Sequence, residues 1–212
     1  MKRFAGLAVL LIFLLSACGP MYSIKRDKKG IYSTAELEYN MLATDKGDFG
    51  DYVLFNLCKY MYGGNTFYSA KISYNYPEKG WDFLGMGPGV AGFDIRMQDG
   101  VMIRVNNGKT VPLKYKRRPE HQVITTYSNN GYGAVSSSRQ HQEWVECVLT
   151  PAQLSYLVNA RSIVITIYGT IHEREDQTKE KKIEYYFKDE NFKIIKRFFD
   201  EEIKNLKTGS GT

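Results

Sequence analysis

Residues 66–76 read Thr-Phe-Tyr-Ser-Ala-Lys-Ile-Ser-Tyr-Asn-Tyr, and their alternation decides the fold class. Tyr68, Ala70, Ile72, Tyr74 and Tyr76 fall on one side of an extended chain; Ser69, Lys71, Ser73 and Asn75 fall on the other. A period of two marks a strand with one face against a core. Upstream, Tyr52 to Tyr62 is apolar-rich, suits helix or strand, and stops at Gly63-Gly64-Asn65. Ile31 to Met41 alternates as well, with Ile31, Ala35, Leu37, Tyr39 and Met41 expected inward and Glu36, Glu38 and Asn40 outward. Downstream, Pro77 to Gly92 carries five glycines and reads as a long loop. Phe93–Met97 and Val101–Val105 flank Asp99-Gly100, and Asn106-Asn107-Gly108 leads into Lys109–Lys116. These dipeptides supply the positive φ of tight hairpins. Pro112 in the last of these strands marks an edge or a bulge.

The final third mixes element types. Gln122–Tyr127 and Glu143–Leu149 read as strands, separated by a polar stretch that includes Ser136, Ser137 and Ser138. Thr150-Pro151 is a cap followed by a first-turn proline, with Leu154, Leu157 and Val158 striping a short helix. Ile163–Tyr168 pairs with Ile183–Phe187 across a charged turn from Arg174 to Lys182. Asp189 caps a last helix whose Phe192, Ile195, Phe198, Phe199, Ile203 and Leu206 recur at helical spacing. The order of elements predicts an α+β fold, mostly antiparallel β. It is a sheet or sandwich with a short late helix and a C-terminal amphipathic helix packed on one side.

The chain has 212 residues, with 29 Lys+Arg against 23 Asp+Glu and 43% apolar residues. That balance belongs to a folded globular chain and excludes disordered, collagenous and disulfide-dense classes. The N-terminus has its own grammar. Lys2 and Arg3 precede an apolar run from Phe4 to Leu15. As a helix that run would be about 18 Å long, too short for a bilayer core of about 30 Å. It fits the apolar segment of an export signal.

Leu15-Ser16-Ala17-Cys18 resembles the lipobox of bacterial lipoprotein signal peptides, a resemblance confined to residues 1–18. It implies transfer of diacylglycerol to the Cys18 thiol, cleavage before Cys18, and acylation of the new amino group. The alternative is an ordinary signal peptide with an incidental cysteine. Two or more acyl chains hold a protein stably at a membrane. The resemblance therefore places the protein in the bacterial cell envelope. In a Gram-negative cell the outer membrane, on its periplasmic or surface face, is favoured, because Gly19 stands where an Asp would signal inner-membrane retention. The organisation is then a signal peptide over 1–17, a lipidated basic tether over 18–30, one β-rich domain over 31–207, and a frayed tail over 208–212. About 195 residues remain after cleavage, enough to bury about 70% of the surface of the extended chain.

With Cys18 taken by lipid, Cys58 and Cys147 remain. Both lie in apolar surroundings, and an oxidising compartment allows either a disulfide or two separate buried thiols. Gly87-Pro88-Gly89-Val90-Ala91-Gly92 has the spacing of a dinucleotide-binding turn. It lacks the following helix and the acid about 20 residues on, so it reads as a turn and no cofactor is called for. His121, His141 and His172 show no metal-ligand spacing, and no metal is expected. His141 and Glu143 share one side of a strand, which makes them the only catalytic candidates; an ordinary surface strand gives the same spacing.

Two features suit binding. Tyr60, Tyr62, Tyr68, Tyr74 and Tyr76, with Trp81 close behind, form an aromatic concentration able to meet glycan or protein partners, or simply to serve strand propensity. Lys114, Lys116, Arg117 and Arg118 form the densest basic cluster. In an exported protein it would meet acidic headgroups rather than nucleic acid, or only solvate a strand end. The expected partners are thus the membrane through acyl chains on Cys18, and envelope proteins, glycan or acidic headgroups. The expected role is non-enzymatic binding or structure. The alternative is an envelope hydrolase acting on glycan or peptide through His141 and Glu143.

Overall fold

The computed structural model describes residues 23–44, 51–77, 92–96, 100–129, 135–174 and 177–204. Among these, β1 (Ser23–Lys29), β2 (Tyr32–Glu38), β4 (Tyr52–Tyr62), β5 (Asn65–Pro77), β10 (Val135–Leu149) and β9 (Glu120–Asn129) form an antiparallel sheet in that spatial order, with β3 (Met41–Leu42) beside β4. A second sheet runs β12 (Gln177–Tyr186), β11 (Ile163–Arg174), β7 (Val101–Val105), β8 (Val111–Pro112), with β6 (Gly92–Ile95) also on β11. Helices α1 (Pro151–Val158) and α2 (Asp189–Glu202) complete the α+β architecture. The two sheets and both helices share one apolar core, in which Phe55, Ile72, Tyr74, Val145, Ile165, Tyr185, Leu154 and Phe198 are buried.

The alternation over 66–76 holds. Ala70, Ile72, Tyr74 and Tyr76 face the core, and β4 resolves as a strand whose Val53, Phe55 and Leu57 lie directly across from Tyr74, Ile72 and Ala70. Gly63 and Gly64 both take positive φ at the β4–β5 turn, a conformation that glycine adopts without a Cβ penalty. Asn106 and Asn107 likewise take positive φ in the β7–β8 turn, and Pro112 sits on an edge strand. Thr150 caps α1 as expected: the Gln153 N–H donates to Thr150 Oγ1 at 3.2 Å, and the Thr150 N–H donates to Gln153 Oε1 at 2.8 Å.

Several expectations are corrected. Phe93–Met97 and Val101–Val105 do not form a hairpin with each other. β6 and β7 instead lie in line along β11, Ile95 opposite Gly169 and Val101 opposite Ile167. Gly100 fits at the start of β7 by lacking a side chain, since a Cβ there would sit 2.5 Å from the Arg96 carbonyl oxygen and 2.8 Å from the Tyr115 hydroxyl. Ser136, Ser137 and Ser138 belong to β10, in register with Ser128, Tyr127 and Thr126 of β9 respectively. The charged turn after β11 is narrower than 174–182, because β12 already begins at Gln177. Helix α2 begins at Asp189, so Asp189 is a first-turn acid that complements the helix dipole rather than the cap. The loop expected over 77–92 and the glycine-rich turn at 87–92 lie, between Pro77 and Gly92, outside the described residues, as do 1–22 and 205–212.

The basic tether read over 18–30 is strand from Ser23 onward, paired with β2 from Ser23↔Glu38 to Lys29↔Tyr32. Arg26 explains the docking: its Nε and Nη2 each lie 2.7 Å from a carboxylate oxygen, of Glu202 and Glu201 respectively. Buried Lys59 of β4 donates to the Glu202 carbonyl at 2.7 Å. Two cations thus meet the negative end of α2, where Glu201 and Glu202 would otherwise add like charge to the dipole.

The alternation over 31–41 also slips. Ala35 and Leu37 are buried, but Tyr39 takes positive φ (64°), after which Asn40 turns inward and Met41 outward. An inverted asparagine is stable there because its hydrogen bonds are filled. Asn40 Nδ2 donates to the Phe55 carbonyl at 2.9 Å, and Asn191 Nδ2 donates to Asn40 Oδ1 at 2.7 Å and to the Met41 carbonyl at 2.8 Å. Asn191 Oδ1 accepts the Lys188 N–H at 2.8 Å. One buried amide pair therefore ties the start of α2 to the β2–β3 corner. Replacing Asn191 by Ala leaves these groups unsatisfied and is expected to cost about 2–3 kcal/mol. Urea unfolding checks this; a loss below about 0.5 kcal/mol would show that the amide pair does not hold the helix.

Candidate functional site

The pleat sorts the central strands into two faces. Leu57, Ala70 and Cys147 lie side by side on the inner face, and Cys58, Ser69 and Val148 on the outer face. Cys58 and Cys147 therefore point to opposite sides of the sheet, two strand spacings apart. That is about 9–10 Å, beyond the reach of about 7 Å between the Cα atoms of a disulfide. Both thiols are free and buried, which corrects the disulfide alternative. Burial pushes both up to about 12, far from the thiolate that nucleophilic chemistry needs.

The sequence-predicted aromatics divide in the same way. Tyr74 and Tyr76 are buried, and Tyr68 is half-buried against the core. They do not present a ligand-facing surface. Trp81 and Cys18 lie outside the described residues. Instead the inner face brings Tyr76, His141, Glu143 and His121 together. Tyr76 donates to Glu143 Oε1 at 3.0 Å, and the Ile95 N–H of β6 donates to Glu143 Oε2 at 2.8 Å. Glu143 is thus a clamp between the sheets, with both oxygens engaged. His121 Nε2 lies 3.0 Å from His141 Nδ1, while the ring centroids are 5.2 Å apart with near-parallel planes. The difference matches the radii of the two rings, so the imidazoles meet edge to edge and one donates to the other. Ring nitrogens hydrogen-bonded to each other do not converge on a common ion. Among the described residues no group of three His, Cys, Asp or Glu stands in position to hold a metal.

The outer face carries the more open chemistry. Buried Glu146 accepts from Ser69 Oγ at 2.7 Å and from Lys116 Nζ at 3.1 Å, with Arg117 Nε at 4.0 Å. Lys116 Nζ also lies 4.3 Å from the centroid of the Tyr60 ring, within cation–π range. The basic segment is held there by the backbone: the Lys116 N–H donates to the Glu146 carbonyl, and the Val148 N–H donates to the Lys114 carbonyl at 3.0 Å. Arg117 pairs with Glu120 at 2.8 Å, while Lys114 and Arg118 are exposed. Half of the predicted basic cluster is therefore internally neutralised.

Beside this ionic centre the sheet exposes large apolar groups. Tyr32 lies directly across from Tyr62, and Phe67 across from Tyr60 one row further along. Tyr62 is 57% exposed and Phe67 58% exposed. Tyr62 belongs to the aromatic concentration read from the sequence, whereas Tyr32 and Phe67 escaped it because the alternation over 66–76 gave the aromatic importance to its inward tyrosines. The available signal was the other phase of the same strands, Tyr60, Tyr62 and Phe67, with Glu146 as a lone charge inside an apolar run. A separate cavity of about 330 Å³ opens between the β7–β8 turn and α1, lined by Val105, Val111, Leu113, Leu149 and Leu157.

Two outcomes follow. Cys58 and Cys147 should resist a thiol reagent at neutral pH in the folded protein and both react in denaturant without reductant; failure to react in denaturant would establish a bridge. Burial alone would raise the Glu146 carboxyl, but hydrogen bonds from Ser69, Tyr60 and Lys116, with the Lys116 charge, outweigh it and hold the carboxyl below its ordinary 4.5. The folded state therefore binds this proton less tightly than the unfolded chain. The stability it confers is complete above 4.5 and is lost as pH falls through the lower, folded value. Urea unfolding across that range should show the gap between the parent and Glu146→Gln shrinking with acidity; a gap independent of pH would remove the carboxylate from this role. No known family model and no curated protein matches this sequence.

Proposed function

We propose that the protein is a lipid-anchored component of the bacterial cell envelope with a non-enzymatic binding or structural role. The observation that carries the reading is the order Lys2-Arg3, an apolar run, and Leu15-Ser16-Ala17-Cys18, immediately ahead of a folded β-rich domain whose first strand starts at Ser23. Acyl chains on Cys18 would hold that domain close to a bilayer. Among the described residues no helix is long and apolar enough to cross a membrane, and the reading needs none. The outer face supports a binding role: exposed aromatics beside exposed cations are suited to amphipathic partners. The hydrolase alternative draws less support, because Glu143 is engaged by Tyr76 and the Ile95 backbone.

The test is expression of the full chain in a Gram-negative host. Mass spectrometry should find a chain beginning at Cys18 and carrying the mass of its acyl groups. Cys18→Ser should abolish the adduct and release the protein from the membrane fraction. An unmodified, soluble parent chain would overturn the proposal.

A further inference from the structure

The β1–β2 and β4–β5 turns lie side by side at one end of the larger sheet, with Tyr32 opposite Tyr62 and the Gly63 N–H donating to the Ile31 carbonyl at 3.4 Å. Ile31 is 70% exposed and Tyr32 40% exposed. Tyr62 and Phe67 stand out from the same end. Lys29 is directly across from Tyr32, and Lys25 is on the same face of β1. Both lysines are exposed; Asp27 lies between them on the same face, 3.9 Å from Lys29 Nζ, and Glu36 is across from Lys25. Four large apolar or aromatic groups are thus set against cations on a sheet edge.

We infer that this edge, formed by β1 and the two adjoining turns, lies on the surface of an anionic bilayer, with Ile31, Tyr32, Tyr62 and Phe67 in the interfacial layer and Lys25 and Lys29 on acidic headgroups. Tyrosine suits that layer because its ring is apolar and its hydroxyl is wet. Lysines near an anionic leaflet add attraction that decays within a Debye length. The covalent path agrees. From Cys18 to Ser23 the chain spans at most about 18 Å, so an anchored domain keeps the start of β1 near the membrane. β1 is about 20 Å long, and laying it along the surface brings the aromatic end into contact as well. In this orientation α2, pinned to β1 through Arg26, follows the edge as part of one rigid body. The orientation rests on the anchoring proposed above, whereas the surface chemistry is independent of it.

The experiment uses unacylated chain beginning at Gly19, which retains every described element. Co-sedimentation is measured with vesicles of phosphatidylcholine alone and of phosphatidylcholine with phosphatidylglycerol. Binding to the anionic vesicles is expected, weakening as salt rises. Tyr62→Ser with Phe67→Ser, and separately Lys25→Glu with Lys29→Glu, should each weaken it by about tenfold or more. All four positions are solvent-facing, and unchanged unfolding midpoints would confirm that the variants fold. Absence of binding to anionic vesicles at low salt overturns the inference, and so do variants that bind as well as the parent. Equal, salt-independent binding to both vesicles overturns the role of the headgroups. Because the probe chain has no lipid, none of these results depends on whether Cys18 is acylated.

Discussion

A strand has only two faces, and the pleat of β4, β5 and β10 commits every residue of the central sheet to one or the other. The inner face takes Phe55, Leu57, Ala70, Ile72 and Val145 into the core, where removal of apolar area from water drives folding. The outer face is then obliged to carry what remains: Cys58, Ser69, Lys71 and Glu146, with Tyr60, Tyr62 and Phe67. The separation of the two cysteines, the ionic centre at Glu146 and the exposed aromatic end all follow from that single geometric constraint. A slip of one residue in any of these strands would exchange the faces and bury Lys71 and Glu146 among apolar groups.

Polar groups fasten the ends that hydrophobic burial leaves loose. Asn40 and Asn191 join the β2–β3 corner to the first turn of α2. Arg26 and Lys59 close on its last turn. Glu143 joins β10 to β6 and hence one sheet to the other. Each is met by a partner, and all but the exposed Arg26 are buried or half-buried, the condition under which interior polar groups stabilise rather than cost. The histidine–carboxylate pair that resembles catalytic chemistry in one dimension is, in three, a fastening of this kind. Exposed aromatics and cations stand instead where the fastening stops, on an outer face whose cations are only partly neutralised.

Most of the architecture was legible along the chain because it is local. The Thr150-Pro151 cap, the Asn106-Asn107 turn, the edge position of Pro112 and the stripe of α2 each depend on neighbours within a few residues. Failures arose where a distant contact outweighed local pattern. Asn40 points inward because Asn191 and Phe55 meet it, and residues 23–29 are strand because β2 and the end of α2 receive them. Gly100 appeared as a hairpin residue by its dipeptide, yet its function is the space it leaves beside Arg96 and Tyr115.

By itself the sequence determined the α+β class, the antiparallel strands and the export-like start, since periodicity, capping residues and a charged, apolar, small-residue order act through adjacent atoms. Only tertiary structure decided which tyrosines are buried, which lysines are neutralised, and that Cys58 and Cys147 face apart. Those properties depend on register between strands separated by many residues. Register is set by the sum of all cross-strand contacts rather than by any one of them.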